Sequence, residues 1–378
     1  MIDRVIKSRL VDRIDRNKAH LIFGPRRVGK TVLLQDLLDD RKHTKWDGEN
    51  TKLHAQLADA SFEQLQQMLG NTTLLAIDEA QVIPNIGRIL KILLDTNLDL
   101  SIVATGSSAL DLHNHTGEPL VGRRLVYRLH PLSEAEIAAQ ETYMQRLSHI
   151  DERLVYGTYP EVYLMKDRGE KREYLNDIID NYLLRDVLSF DGIRNANKIM
   201  NLLRLVALQV GSQVSMEQLG KQLQISKNTV DKYLDILTKL FILIPLRGYS
   251  SNKRKGLTKM AKYYFTDNGI RNALISQFQS LELRNDVGIL WENFLVTERI
   301  KHQDNYGYHG HNYFWRQTDG QELDWIEEYD GQLHAFRFKY NPAKQPKRPV
   351  AWGKSYPDQP YHVITKDNYF EWLVPPKS

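Results

Sequence analysis

The chain has 378 residues, 42% of them hydrophobic and 26% charged, which at roughly 100–200 residues per domain predicts two or three domains, each able to bury a core. It holds no apolar run of eighteen residues and no cysteine, which excludes a membrane-spanning helix, a disulfide framework and thiolate metal sites. With 51 basic and 47 acidic residues the formal charge is +4, too near neutral for the total to mark a nucleic-acid binder, so that reading depends on where the bases cluster. The amino terminus, MIDRVIKSRLVDRID, is charged throughout and lacks the apolar centre of a secretory signal. Together with the missing cysteines this leads us to expect a cytoplasmic protein without membrane contact.

In chain order, the first 130 residues alternate short apolar runs with helical stretches. His20–Phe23, Thr73–Ile77 and Ser101–Thr105 read as strands, and Thr31–Asp39 and Ile86–Asp95 as helices between them. Near-continuous apolar strands separated by helices predict a parallel sheet covered on both faces. From about 133 to 210 the pattern is helical, with Ile178, Tyr182, Leu183 and Val187 at helical spacing. Residues 211–246 read as three short helical pieces and 247–262 as a basic loop. The remaining stretch, rich in Tyr, Trp and Phe, returns to strand patterning in YFWRQ, ELDWIEE, LHAFRFKY and YHVIT. Trp315, Trp325 and Phe338 alternate there as core side chains do. His302, His309 and His311 lie in a Gly/Tyr/Asn-rich loop without a fixed acidic partner, so exposed histidines are expected rather than zinc ligands.

The chemistry begins at Gly24, Pro25, Arg26, Arg27, Val28, Gly29, Lys30 and Thr31, which satisfy GxxxxGK[ST] between an apolar strand and an amphipathic helix that continues through Val32. A glycine-rich turn at a helix amino terminus lets successive backbone N–H groups surround a phosphate. Lys30 would then reach the β- and γ-phosphates of ATP and the Thr31 hydroxyl would ligate Mg²⁺. Leu74-Leu-Ala-Ile-Asp78-Glu79 is an apolar strand ending in two carboxylates, 48 residues after Lys30. Asp78 would hold Mg²⁺ through water and Glu79 would orient the attacking water, which favours hydrolysis over binding alone. The third strand ends in Gly-Ser-Ser, where Thr105 or Ser107 could sense the γ-phosphate; both also suit a plain strand-end turn.

Taken together, GPRRVGKT, LLAIDEAQ, ATGSS, GRR followed by HPLSEAE, YGTYPEV, KYYFTDNGIRNAL, GILWENF and YFWRQ…QELDWIEE resemble a widespread prokaryotic family of AAA+ ATPases with a carboxy-terminal domain of unknown function. The resemblance implies an α/β P-loop core of the ASCE type over 1–132, a helical lid or connector over 133–210, a winged helix over 211–285 and a PD-(D/E)xK nuclease-like α/β domain over 286–378. It also implies, by position alone, that Arg123 acts as a finger in a neighbouring subunit's site, and hence that the protein is a homo-oligomer.

Within the implied winged helix, SMEQLGKQLQ, ISKNT and VDKYLDILTKL read as helix, turn, helix, with Ser226 as N-cap and Val230, Leu234 and Leu237 as the buried face. Lys227, Asn228 and Lys232 lie where a recognition helix meets DNA. The following stretch holds Arg247, Lys253, Arg254, Lys255, Lys259 and Lys262 and no acid, a cationic wing suited to phosphates; protein docking is the alternative. In the terminal domain Glu292, Asp324 and Lys339 stand where the nuclease resemblance places its helix Glu, metal-binding Asp and catalytic Lys. The carboxylate that chemistry needs two residues before the lysine is replaced by Arg337. An arginine cannot ligate a metal, so a binding or scaffold role is expected there instead of cleavage. Arg337 and Lys339 would either contact phosphate or pair with Glu292 and Asp324. The chain is therefore expected to bind and hydrolyse ATP with Mg²⁺ and to act on DNA, the alternative being a nucleotide-gated switch that docks a protein.

Overall fold

Residues 2–14, 18–39, 41–95, 99–107, 120, 122–183, 187–188, 196–250, 261–308 and 310–374 are described by a computed structural model, and their contacts divide the chain into two units. The first comprises Met1–His130 with Lys239–Phe241 and Asp304–Tyr306; the second is the rest from Pro131 onward. No helix among the described residues is long and apolar enough to cross a membrane.

The first unit runs α1 (Ile6–Val11), β1 (Ala19–Phe23), α2 (Lys30–Leu38), β2 (Thr44–Asp47), α3 (Thr51–Leu57), α4 (Phe62–Leu69), β3 (Leu74–Asp78), α5 (Ile86–Asp95), β4 (Ser101–Gly106) and β5 (Arg124–Arg128). The strands form one parallel sheet in the order β2-β3-β4-β1-β5. Every position of β1, β3 and β4 is buried, as expected of central strands with helices on both faces. α5 buries Ile86, Ile89, Leu90, Leu93 and Leu94, an apolar stripe at helical spacing. β2 and β5 are the edges and each buries a single side chain, Trp46 and Tyr127; hence neither stands out as an apolar run. Because all strands are parallel, β1, β3 and β4 deliver their carboxyl ends to one rim of the sheet, where ligands of open α/β sheets bind.

The second unit opens with α6 (Glu134–Ala138), α7 (Tyr143–Tyr156), α8 (Pro160–Leu164), α9 (Arg168–Asp177), a π-helical turn over Ile178–Leu183, and α10 (Ala196–Leu208). Next come α11 (Met216–Leu223), α12 (Lys227–Lys239), β6 (Leu243–Gly248), β7 (Lys262–Phe265), α13 (Asn268–Leu274) and α14 (Val287–Tyr306), whose last turn groups with the first unit. β8 (His311–Arg316), β9 (Glu322–Tyr329), β10 (Gln332–Phe338), α15 (Val350–Ser355), β11 (Tyr361–Ile364) and α16 (Tyr369–Leu373) complete it. Its sheet has the order β11-β10-β9-β8-β6-β7. β8, β9 and β10 are antiparallel neighbours, β11 joins β10 in parallel, and β6 joins β8 in parallel while pairing antiparallel with β7.

Three expectations are corrected here. The third helical piece before 246 is strand β6: Pro245 cannot sit inside a helix and pairs across from Tyr263. Arg247 and Lys262, the ends of the expected basic loop, lie on β6 and β7. His302 is not in a loop but on α14, where burial first and Arg299 second push its imidazole down to about 4; His311 opens β8 and His309 lies outside the described residues.

The stretch TDNGIRN is explained by helix ends. The last carbonyls of α7 have no partner within their helix, and Asn272 Nδ2 donates to those of Val155 at 2.8 Å and Leu154 at 3.2 Å. Asp267 caps α13 and also accepts from Thr158 N at 2.8 Å. Beside them Arg153, 4% exposed, pairs with Glu134 at 2.8 Å and Glu141 at 2.9 Å. Burial raises Glu134 to about 7 against the pull of Arg153. Removing one partner of such a cluster leaves buried charge uncompensated. Arg153→Met is therefore expected to destabilise the chain by about 3–5 kcal/mol, read as a lowered denaturant midpoint; an unchanged midpoint would show that the cluster contributes nothing.

Candidate nucleotide site

The loop between β1 and α2 is fixed by two glycines. A side chain at Gly24 would fall 2.1 Å from the Leu129 carbonyl oxygen, so only glycine lets β1 leave the sheet there. Gly29 precedes α2 at φ 93°, the left-handed region that favours glycine, and Arg27 shares that conformation at φ 64°. Pro25 and Val28 are buried, Arg26 and Arg27 half-buried, and Thr31 and Val32 exposed. Lys30 is buried, and its Nζ donates to the carbonyls of Gly24 at 3.0 Å and Pro25 at 2.9 Å. Arg4, before α1, donates to Val28 O at 2.7 Å and His130 O at 2.6 Å, bracing the loop from outside.

The carboxyl ends of β3 and β4 meet this loop. Asp78 Oδ1 accepts from Thr31 Oγ1 at 3.3 Å and from Thr105 Oγ1 at 2.6 Å. Thr105, fully buried, accepts in turn from the backbone N–H of Glu79 at 3.0 Å. Thr105 therefore ties the side chain of Asp78 to the backbone of Glu79. Glu79 is half-buried and left-handed at φ 46°, a conformation that costs about 1–2 kcal/mol for a residue with a side chain and is retained at functional sites. Gln81 Nε2 donates to Glu79 Oε2 at 2.5 Å and to Ser107 Oγ at 3.1 Å. Ser107, the second sensor candidate, is thus linked to Glu79 through one amide. Gln81 carries no chemical signature of its own in the sequence; only its place two residues after Glu79 in LLAIDEAQ marks it.

The other candidates lie elsewhere. Arg123 is exposed and paired with Asp95, just before Arg124, which stands opposite Ala19 at the start of β1; it is at the far end of the sheet from its own phosphate loop. Lys227, Asn228 and Lys232 are exposed on α12, with Ser226 capping the helix through Thr229 N at 3.1 Å. Lys227 is bound to Glu217 at 2.6 Å. Arg247 is exposed on β6, and Lys253, Arg254 and Lys255 lie outside the described residues.

In the terminal sheet, Asp324 is buried and accepts from Phe338 N at 2.7 Å and Arg337 at 3.2 Å. Burial and then Glu292 push Asp324 up to about 7, with Arg337 pulling the other way. Glu292 accepts from Tyr264 Oη at 2.6 Å and from Lys262 at 3.2 Å. The charge cluster foreseen at Glu292 and Asp324 is thus closed by Arg337 and by Lys262, a residue of the expected basic wing that is instead 2% exposed; Lys339, half-buried, enters no ion pair there.

Thr105→Val keeps the volume of the side chain but removes a donor to Asp78 and an acceptor for Glu79 N. Each buried group left unsatisfied costs about 1–3 kcal/mol, so urea unfolding should show a loss in that range, recovered in Thr105→Ser; no loss would mean that the hydroxyl does not tie the two strand ends.

Comparison with known proteins agrees with this geometry. Residues 16–138 match the family described as an AAA domain, 147–281 a domain of unknown function (DUF8612), and 287–372 a domain of unknown function (DUF4143). An uncharacterized protein of Mycobacterium tuberculosis is 26% identical over 336 residues, covering 88% of this chain and 72% of its own length. Another, of Haemophilus influenzae, is 27% identical over 342 residues, covering 84% and 82%. Among solved structures, the Walker-type ATPase of Pyrococcus abyssi superposes with a TM-score of 0.50 at 19% identity, covering 73% of this chain and 96% of that one. The phosphate loop and the parallel sheet thus lie within the stretch that matches an AAA domain.

Proposed function

We propose that the chain hydrolyses ATP with Mg²⁺ and couples turnover to DNA held by its second unit. The observation that carries the reading is the meeting of Thr31, Asp78 and Thr105 beside the phosphate loop. The Thr31 hydroxyl and the Asp78 carboxylate are hard oxygen donors side by side, the set that would hold Mg²⁺. Bound there, the ion would neutralise charge building on the phosphates. Backbone N–H groups at the start of α2 offer donors to an anion. Lys30, held inside the loop by the Gly24 and Pro25 carbonyls, supplies the positive charge. Glu79 orients a water and takes its proton, and its bond to Gln81 sets which oxygen is free to do so. Arg123 cannot serve its own loop from the far end of the sheet, so a finger role would require a second copy, and a homo-oligomer follows from that role.

In the second unit, α11, α12 and the β6–β7 hairpin follow one another as helix, helix and two antiparallel strands, which supports the winged-helix reading. α14, the antiparallel β8–β10, α15 and β11 support a nuclease-like terminal domain, with Arg337 in the place of a metal ligand. Lys232, Asn228 and Arg247 are the exposed groups suited to phosphates, with Lys253, Arg254 and Lys255 between β6 and β7. A second reading, a nucleotide-gated switch docking a protein partner, is favoured by α12 itself: Lys227 is already paired with Glu217, and Asp231 and Asp235 are exposed beside Lys232, so the face is mixed rather than basic.

Phosphate release from ATP with Mg²⁺, alone and with single-stranded, duplex and branched DNA, decides between them, with Lys30→Ala as the blank. The ATPase reading predicts turnover that one DNA form stimulates, and a loss of about 10²–10⁴-fold in Glu79→Gln with ATP binding retained. Turnover indifferent to every DNA form would move the partner to protein, and none above the blank would overturn hydrolysis and leave the switch.

A further inference from the structure

From Gly331 to Pro357 the chain carries Arg337, Lys339, Lys344, Lys347, Arg348 and Lys354 and no acid. Buried cations of the same unit are matched by carboxylates, as in Lys171–Glu152, Lys262–Glu292 and Lys301–Glu298. Lys344, Lys347 and Lys354 are exposed, and none of them is in an ion pair with a described residue. Charge left unmatched on a folded segment is available to an outside anion.

The segment is built, not frayed. Pro342, Pro346 and Pro349 fix the backbone at three points. Arg348 turns back onto the carbonyls of Tyr356 and Pro357, and Tyr361 Oη donates to Pro346 O at 2.7 Å. Trp352 of α15 is fully buried beneath it. Lysines carried on a pinned backbone lose less freedom on binding than lysines on a tail. Tyr361 stands opposite Ala335 on β10, two residues before Arg337, so the segment borders the Asp324–Arg337 cluster. The one large apolar side chain exposed on it is Val350, too little for a membrane anchor, which takes a broad apolar face.

We infer that the segment Lys339–Pro357 is a contact surface for the phosphate backbone of a polynucleotide, with Lys344, Lys347 and Lys354 as the contacting cations. It is distinct from α12, it adjoins the end of β6, where Tyr249 packs edge-on against Trp352 and Tyr356, and it does not depend on ATP hydrolysis. Binding of a labelled DNA duplex to the full-length chain, followed against salt, tests it in the variant Lys344→Ala/Lys347→Ala/Lys354→Ala. Each phosphate contact contributes about 0.9 to the slope of log affinity on log salt. The slope should shrink by about 2–3 and affinity at about 0.1 M salt should fall at least about tenfold. The triple Lys→Arg variant should keep both, and an unchanged melting temperature certifies the fold. ATP turnover without nucleic acid should stay at the wild-type value, which separates failure here from failure of the ATPase reading. An unchanged slope and affinity, no duplex binding by the wild type, or a loss confined to binding of phosphatidylserine vesicles would overturn the inference.

Discussion

The buried hydroxyl of Thr105 joins the two strand ends on which the nucleotide site depends. It donates to Asp78 Oδ1 at 2.6 Å while accepting from Glu79 N at 3.0 Å, so a single oxygen fixes both the carboxylate suited to a metal and the backbone of the carboxylate suited to water. This is possible only because β4 lies between β1 and β3. That order brings the end of β4 against Asp78 on one side and against Phe23, the last residue of β1, on the other, where it stands opposite Gly106. The left-handed turn at Glu79 then aims its side chain at Gln81, not into the sheet. Strain at one residue is offset by hydrogen bonds on each side of it, as such strain must be if it is to persist.

The second unit follows a different rule, in which charge is taken inside and matched there. Arg153 with Glu134 and Glu141, Lys301 with Glu298, and Arg271 with Asp286 are all well buried pairs. Pairs of this kind are weak sources of net stability, yet removing one partner is costly because it leaves a buried charge uncompensated. The Asp324–Arg337 and Glu292–Lys262 pairs extend the same rule into the terminal sheet. With arginine and lysine supplying the positive charge, the carboxylates are spent on holding strands together. The exposed lysines of 344–354 differ in being carried on a pinned, acid-free segment at the surface.

Much of this was legible in sequence, and the gaps have physical causes. β1, β3 and β4 are central and wholly buried, so their apolar runs announce them, and the phosphate loop and Asp78-Glu79 are read from residue types at fixed spacing. β2 and β5 escape notice because an edge strand with one buried side chain has no apolar run to show. β6 and β7 are misread because Leu-Ile-Pro-Leu is too short to display a period and because Lys262, a base by composition, is drawn into the core by Glu292. Burial of a charged residue is a tertiary fact that local pattern cannot carry. Gln81 is invisible for a related reason: an amide acquires its role only when Ser107, arriving on another strand, stands 3.1 Å away.

If Asp78, positioned by Thr105, is the seat of Mg²⁺, then the ion should strengthen nucleotide binding through that carboxylate. The direct measurement is ATP affinity of the full chain with and without Mg²⁺, in the wild type and in Asp78→Asn, which keeps the shape of the side chain and removes its charge. The account predicts that Mg²⁺ tightens binding in the wild type and that most of this gain disappears in Asp78→Asn. An equal gain in both proteins would contradict it and place the metal elsewhere.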